Sequence, residues 1–412
     1  MINMRSRNTN FHFPGVPLEG KPSTMADGGA IFIKILSNSF SKITIRRSIF
    51  NGNHAVGGSG GDIFMKNFDG VASLALEGCV FSNSRSNAGG SVKTSNMNLT
   101  ISNCTFTECS ATQSAGGAIV AANSQEFAKN YVSTNIIITK SFFKGNRASQ
   151  TGGAISVQTD GVLEIQSSTF GGNSAYLGGS INIRMKLGNR REARSLLHDC
   201  TFINNEATIG GAMYIVRNEE DWTERWSLPG SFYSTAIQKC RFWNNSAISS
   251  GQSVYNKDHI QMEDTSLITY EKYIAPHLHV SSGDINLSNV TVQLFRDSKL
   301  ELPSKSKGIV LKSNDIKLSK GLTFLCPSNF NIDGMKNTTG VNSTLKKKGR
   351  WLSVRVPYTV YKSFSVDCTA CSVDTYTLHS GRLYLPRLTP KYPPENVVSM
   401  DNEKCISCPT GK

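Results

Sequence analysis

Apolar residues come along this chain in short alternating bursts, and the bursts repeat. Alignment on Phe50, Phe81, Phe106, Phe143, Phe170, Phe202 and Phe242 exposes the repeat. Two residues before these stand Ser48, Cys79, Cys104, Ser141, Ser168, Cys200 and Cys240. Five before them stand Ile45, Leu76, Ile101, Ile138, Ile165, Leu197 and Ile237, and two earlier again come Ile43, Leu74, Leu99, Ile136 and Leu163. Three after the Phe the residue is Asn53, Asn146, Asn173, Asn205 or Asn245, with Ser84 and Cys109 in the two remaining repeats. A period of this kind predicts a solenoid.

Parity gives the shape of one repeat. Ile43 and Ile45 alternate, as do Ser48 and Phe50, but the step between 45 and 48 is odd. A strand keeps its side chains on one face only at even spacing, so the odd step is a bend. A Gly-Gly pair then opens another alternating run, as in GGAIFI (28–33), GGAISV (152–157), GGSINI (178–183) and GGAMYI (210–215). Three short strands joined by corners, coil after coil, describe an all-β, right-handed parallel β-helix.

In such a fold the recurring residues are scaffold. Coils stack about 4.8 Å apart, so each inward side chain lies on its equivalent in the next coil. The seven Phe residues are expected to form a stacked column and the five Asn residues an amide ladder. Gly-Gly supplies positive φ and close backbone approach at a corner. From each Phe to the next Gly pair the chain takes only 8 to 10 residues, whereas from the second Gly to the next Phe it takes 16 to 31. Insertions therefore leave from one edge: residues 121–135, 184–195 and 218–234. Specific contacts are expected there, since solenoid insertions cluster on one face.

The paired GGAI and FxxN motifs, over about residues 28–255, resemble the polymorphic outer-membrane protein repeats of chlamydiae. That resemblance implies a right-handed β-helical passenger used in surface adhesion. The bacterial family ends in a membrane β-barrel, whereas this chain ends in cysteine pairs. Its organisation reads as an irregular segment (1–27), motif-bearing coils (28–270), further coils or a cap (271–360) and the start of a cysteine-rich module (361–412).

Composition agrees with strands and turns: 38% hydrophobic, 18% charged, 36 Gly. No apolar run reaches the ~18 residues that span a bilayer, and no signal peptide is evident at the start. The chain is accordingly expected to be a piece of a longer surface protein. The net charge of +14 gathers in RMKLGNRREAR (184–194) and LKKKGR (345–350). Neither run is interleaved with aromatics, so they read as solvated loops and no nucleic-acid partner is expected. An oligomeric state is not indicated.

Cys79, Cys104, Cys200 and Cys240 exchange with Ser, which favours small buried thiols over the adjacent-coil disulfides that coil spacing would also permit. The tail holds two C-x-x-C pairs, Cys368/Cys371 and Cys405/Cys408, compatible with a disulfide module or, at an unusually long separation, a zinc ribbon. CTACSVDTYTLHSG followed by CISCPTG resembles the ephrin-receptor-like cysteine-rich modules of eukaryotic surface proteins, which implies disulfides at these four cysteines. N-x-S/T sequons at Asn98, Asn103, Asn244, Asn286, Asn289, Asn337 and Asn342 agree with a secretory route.

Carboxylates at equivalent positions of adjacent coils, as acid–base work or Ca²⁺ binding would need, are not read in the coil strands. Glu77 and Glu164 stand isolated, and the acidic NEED (218–221) falls in a variable loop. His277 and His279 form an H-x-H that on one strand would share a face and could hold a metal, but no third ligand is evident. The reading is a non-enzymatic extracellular or cell-surface scaffold without cofactor, its partner a protein or glycan at a cell surface. The rivals are a carbohydrate-active β-helix enzyme and an intracellular basic β-helix with an anionic partner.

Overall fold

The computed structural model describes residues 2–5, 9–12, 27–35, 41–68, 71–123, 134–185, 194–217, 235–269, 277–281 and 285–294, and strands at 305–313, 316–318, 322–325, 350–355, 362–370, 375–376, 382–385 and 406–407. The regular elements among these residues are all strands. Four long sheets, of 11, 7, 13 and 11 strands, carry the chain, and within the coils neighbouring strands are parallel. The chain is a parallel β-solenoid.

One coil shows how the sequence builds it. Its strands are Ala72–Glu77, Val80–Ser82, Arg85–Ala88 and Val92–Ser95. Each pairs in register with its successor, for example Leu74 with Leu99, Phe81 with Phe106 and Val92 with Ile119. The sequence pattern gives three strands per coil, and the structure has four. The extra strand lies between the Asn and the Gly pair and is as short as Ser110–Ala111. It turns a single small side chain inward, such as Ala55, Ser86, Ala111 or Ala148. One inward residue makes no alternation, so periodicity could not reveal it.

Gly78 makes the bend that parity requires in one coil, and non-glycine residues make it in the others. Arg47, Asn103, Lys140, Ser167, Asp199, Lys239 and Asp264 all sit there with φ between 47° and 52°. The left-handed region costs an ordinary L-residue roughly 1–2 kcal/mol. Offsetting that cost, each corner N–H donates to the next coil, as Asp199 does to Gln238 O at 3.0 Å.

Inside, the Phe rings form one column from Phe50 to Phe242, with centroids 4.6–4.9 Å apart and planes within 7° of parallel. That separation exceeds the ~3.5 Å of carbon contact, so the rings are slipped, as their quadrupoles prefer. Leu267 and Val292 extend the column past the last motif. Beside it runs the amide ladder: Asn146, Asn173 and Asn205 each donate Nδ2 to the next Asn Oδ1, at 3.0, 3.0 and 2.8 Å. The same Nδ2 groups donate to Phe106, Phe143 and Phe170 carbonyls of the preceding coil. Asn53 stands apart from this ladder. Ser84 replaces the next amide, and Asn53 donates instead to the buried Asp62, at 2.7 Å. Burial raises the Asp62 pKa, opposed by bonds from Ser91, Ser84 and Asn53.

Antiparallel strands cover part of each end of the stack. Ile2–Arg5 and Thr9–His12, from the motifless start, pair antiparallel with Ser41–Arg46 and Ile31–Ile35 of the first coil. At the other end, Leu278–Val280, Ile285–Ser288 and Val290–Leu294 add parallel strands without the motif. Strands 362–370 and 382–385 then pair antiparallel with 305–313 and 322–325. Antiparallel strands at both ends occupy edges that would otherwise be open to further pairing.

Candidate functional site

With the motif residues turned inward, function falls to the outward columns and the corners. The bend columns are the most chemically varied. Asp199, Lys239 and Asp264 occupy the same left-handed corner in three successive coils. Two residues on, Thr201, Arg241 and Ser266 are partners in the parallel ladder. These six side chains line a shallow groove of about 410 Å³. Ser167 Oγ donates to Asp199 Oδ2 at 3.1 Å, and Asn289 Nδ2 donates to Asp264 Oδ1 at 2.8 Å. Each of these bonds engages one oxygen of its carboxylate, and among the described residues no hydrogen bond engages the other. Among the described residues, neither Lys239 nor Arg241 forms an ion pair.

Two coil spacings separate Asp199 from Asp264, about 10 Å, with a cation between them. Carboxylates thus alternate with positive charge here instead of standing on adjacent coils. An apolar strip borders the groove: Trp243, 44% exposed, lies two residues beyond Arg241 and pairs with Ile203 and Ile268. The Phe alignment contains Asp199, Thr201, Ile203, Lys239, Arg241 and Trp243, at three before, one before and one after, while Asp264, Ser266 and Ile268 flank Leu267, outside it. Reading parity for the inward set passed over them.

The expected insertions leave at one corner, between the fourth strand of a coil and the first of the next. The flanking residues Asn123 and Thr134, Met185 and Arg194, and Arg217 and Thr235 all lie there. Residues 124–133, 186–193 and 218–234, with the NEED cluster and most of the 184–194 basic run, lie outside the described residues, as does the 345–349 run. At that corner Arg217 pairs with the buried Asp258 at 3.0 Å.

The H-x-H expectation is overturned. His277 precedes the strand Leu278–Val280 and is fully buried at the position held by Ser253 in the coil before. His279 points outward, 5.0 Å from the Tyr255 ring, which stacks on Tyr214. A corner intervenes, so the two rings share no face. Burial lowers the His277 pKa from 6.5 to about 3. Its folded-state pKa lies below the unfolded one, so the unfolded chain binds the extra proton between those values and stability falls as pH drops through that window. At ~1.4 kcal/mol per pH unit, about 2 kcal/mol should be lost by pH 5, and His277→Ser should remove that slope. Urea denaturation at pH 7 and pH 5 reads the difference; equal slopes in both proteins would refute it.

Cys79, Cys104, Cys200 and Cys240 are free, buried thiols, and so is Cys109. The thiols donate to backbone carbonyls, as Cys79 does to Ile45 O at 3.4 Å and Cys240 to Gln238 O at 3.2 Å. Burial pushes Cys109 up to about 12. The neighbouring Cys79 thiol, then burial, raises Cys104 above the ordinary thiol range. Hydrogen bonding with Cys104 and Cys240 lowers the pKa of the partner thiols Cys79 and Cys200, and all five cysteines pack as small side chains in the buried core.

Of the tail cysteines, Cys368 falls in strand 362–370, while Cys371, Cys405 and Cys408 lie outside the described residues. Strand Thr375–Tyr376 pairs antiparallel with Ile406–Ser407, which joins the neighbourhoods of the two C-x-x-C pairs. Among the sequons, Asn103 and Asn289 are exposed on the same bend column as the groove, and Asn244 is on the following corner. Asn98 is half-buried and accepts a bond from the Asn135 N–H at 2.8 Å. Asn286 lies in strand Ile285–Ser288, and Asn337 and Asn342 lie outside the described residues.

No protein-family model, no curated protein and no solved structure matches this chain. Among the described residues no helix is long and apolar enough to cross a membrane.

Proposed function

We propose that this chain is the right-handed β-helical stalk of an extracellular or cell-surface protein, leading into a cysteine-rich module, and that it is a non-enzymatic adhesive or structural scaffold. One observation carries the reading. The residues that recur from coil to coil are buried and bonded to one another, while chemical variety is left to outward columns and to one insertion edge. A surface so divided presents side chains at fixed ~4.8 Å intervals on a rigid rod, which suits contact with an extended partner.

Intact mass of the native protein, denatured and alkylated without reduction, tests the location. Glycan removal should lower the mass, and Cys368, Cys371, Cys405 and Cys408 should stay unalkylated. Cys79, Cys104, Cys109, Cys200 and Cys240 should each take one alkyl group. An unglycosylated chain whose tail cysteines all alkylate under metal-free conditions would refute the surface reading.

A further inference from the structure

We propose that the corner groove of Asp199, Lys239 and Asp264 binds a glycan that carries one carboxylate among neutral hydroxyls. The inference deepens the adhesive reading and rests on it for where such a glycan is met. The groove has a charge order that selects its ligand. A cation pair, Lys239 and Arg241, lies in the middle coil, with one carboxylate a coil away on each side. A single anionic group therefore finds two donors at the centre. A densely charged polyanion would place further negative charge against Asp199 or Asp264, which costs affinity.

The free oxygens of the two aspartates can only accept hydrogen bonds, so they call for hydroxyl donors about 5 Å to either side of the anion. Thr201 and Ser266 supply hydroxyls that donate or accept. Along the border the Ile203–Trp243–Ile268 strip suits an apolar C–H face. One carboxylate, flanking hydroxyls and an apolar face together describe an acidic sugar. An inorganic anion supplies only the first of these. The volume, about 410 Å³, is in the usual range for a small-ligand site. The corner residues are also held in place, because each sits in a left-handed conformation fixed by backbone bonds to the next coil.

The 412-residue chain is titrated by calorimetry with 3′-sialyllactose, in which the carboxylate is at the chain end, and with a hyaluronan trisaccharide that has its single glucuronate in the middle, so that the carboxylate lies within the chain. Lactose and a heparin tetrasaccharide serve as neutral and densely anionic comparators. At least one monocarboxylated probe should bind about tenfold or more tighter than both comparators, and which one binds identifies the source of the sugar. Lys239→Asn with Arg241→Gln should weaken that binding about tenfold or more. Asp199→Asn with Asp264→Asn, made like the parent in the bacterial periplasm so that the two new N-x-S/T sequons stay bare, should weaken it severalfold; Asn tolerates the left-handed corner, so thermal melts should match the parent.

Failure of both monocarboxylated probes to bind would overturn the proposal. So would heparin binding as tightly as either, or tighter binding after the two Asp→Asn changes, since then the carboxylates would only repel. The mass experiment above is independent of this one. A chain that is reduced and unglycosylated yet binds the probe would refute the surface location and keep the groove, and a glycosylated chain that binds neither would do the reverse.

Discussion

Gly153→Ala is expected to abolish the folded state or cost at least about 4–5 kcal/mol, while Gly172→Ala should cost only about 1–2 kcal/mol. The two glycines differ in conformation and in surroundings, and Gly153 lies outside the left-handed region. Gly172 has φ +62° and nothing within 4 Å of where a Cβ would be. An alanine there carries only the left-handed strain. At Gly153, the second of its pair, a Cβ would run into the carbonyl oxygen of Gly179 in the next coil and meet Ser174 N and O at 2.6 Å each. All three are backbone atoms, which cannot rotate away.

Relief would require the coils to separate, yet they are held by bonds such as Gly153 N to Gly178 O at 3.1 Å and Ala154 N to Ser180 O at 2.9 Å. In a solenoid each coil contacts only its neighbours, so a break in the middle divides the rod. Gly90, Gly117, Gly179 and Gly211 repeat the same close approach. Far-ultraviolet circular dichroism and urea titration of both variants read the prediction. Variants that match within about 1 kcal/mol would mean that the coils yield there, and the close approach would not be what demands glycine.

The contrast also explains which features were legible from sequence. Phe, Asn and Gly-Gly recur because each meets its own copy at the coil spacing, and a repeating contact leaves a repeating letter. The strand between the Asn and the Gly pair left none, because its inward face is one small residue. The groove left none for a different reason. Lys239 between Asp199 and Asp264 is informative only where coils are already known to be in register, since the three residues are far apart in the chain. The H-x-H misled because spacing alone assumed one strand where the backbone turns between His277 and Leu278. At Asn53 the motif matched but the partner did not: the ladder needs an amide in the next coil, and Ser84 has none.

Asn205→Ala is expected to destabilise the chain by about 3–5 kcal/mol, and Asn205→Asp by at least as much at neutral pH. The Asn205 side chain makes four bonds. Its Nδ2 donates to Phe170 O at 3.0 Å and Asn245 Oδ1 at 2.8 Å. Its Oδ1 accepts from Asn173 N and Asn173 Nδ2, each at 3.0 Å. Alanine leaves the buried Asn173 N–H and one amide hydrogen without acceptors, at roughly 1–3 kcal/mol for each unsatisfied group. Aspartate restores both acceptors but sets oxygen against Phe170 O and Asn245 Oδ1, and buries a charge.

The two variants therefore part with pH. In Asn205→Asp, burial and the facing oxygens would raise the pKa of the introduced carboxyl above its unfolded value. The folded state would then bind the extra proton, and stability should rise as pH falls through that window. Alanine has no such group. Denaturation of both variants, each in the His277→Ser background to remove the opposing histidine slope, should show the aspartate variant alone gaining on acidification. Parallel pH profiles would mean that the direction of the ladder is unimportant. A gain confined to aspartate would show that each amide must present its oxygen to the coil before it and an N–H to the coil after it. That polarity is what a buried column of asparagines supplies and a column of shape-matched apolar residues could not, because the backbone N–H groups freed at every bend would remain unpaired.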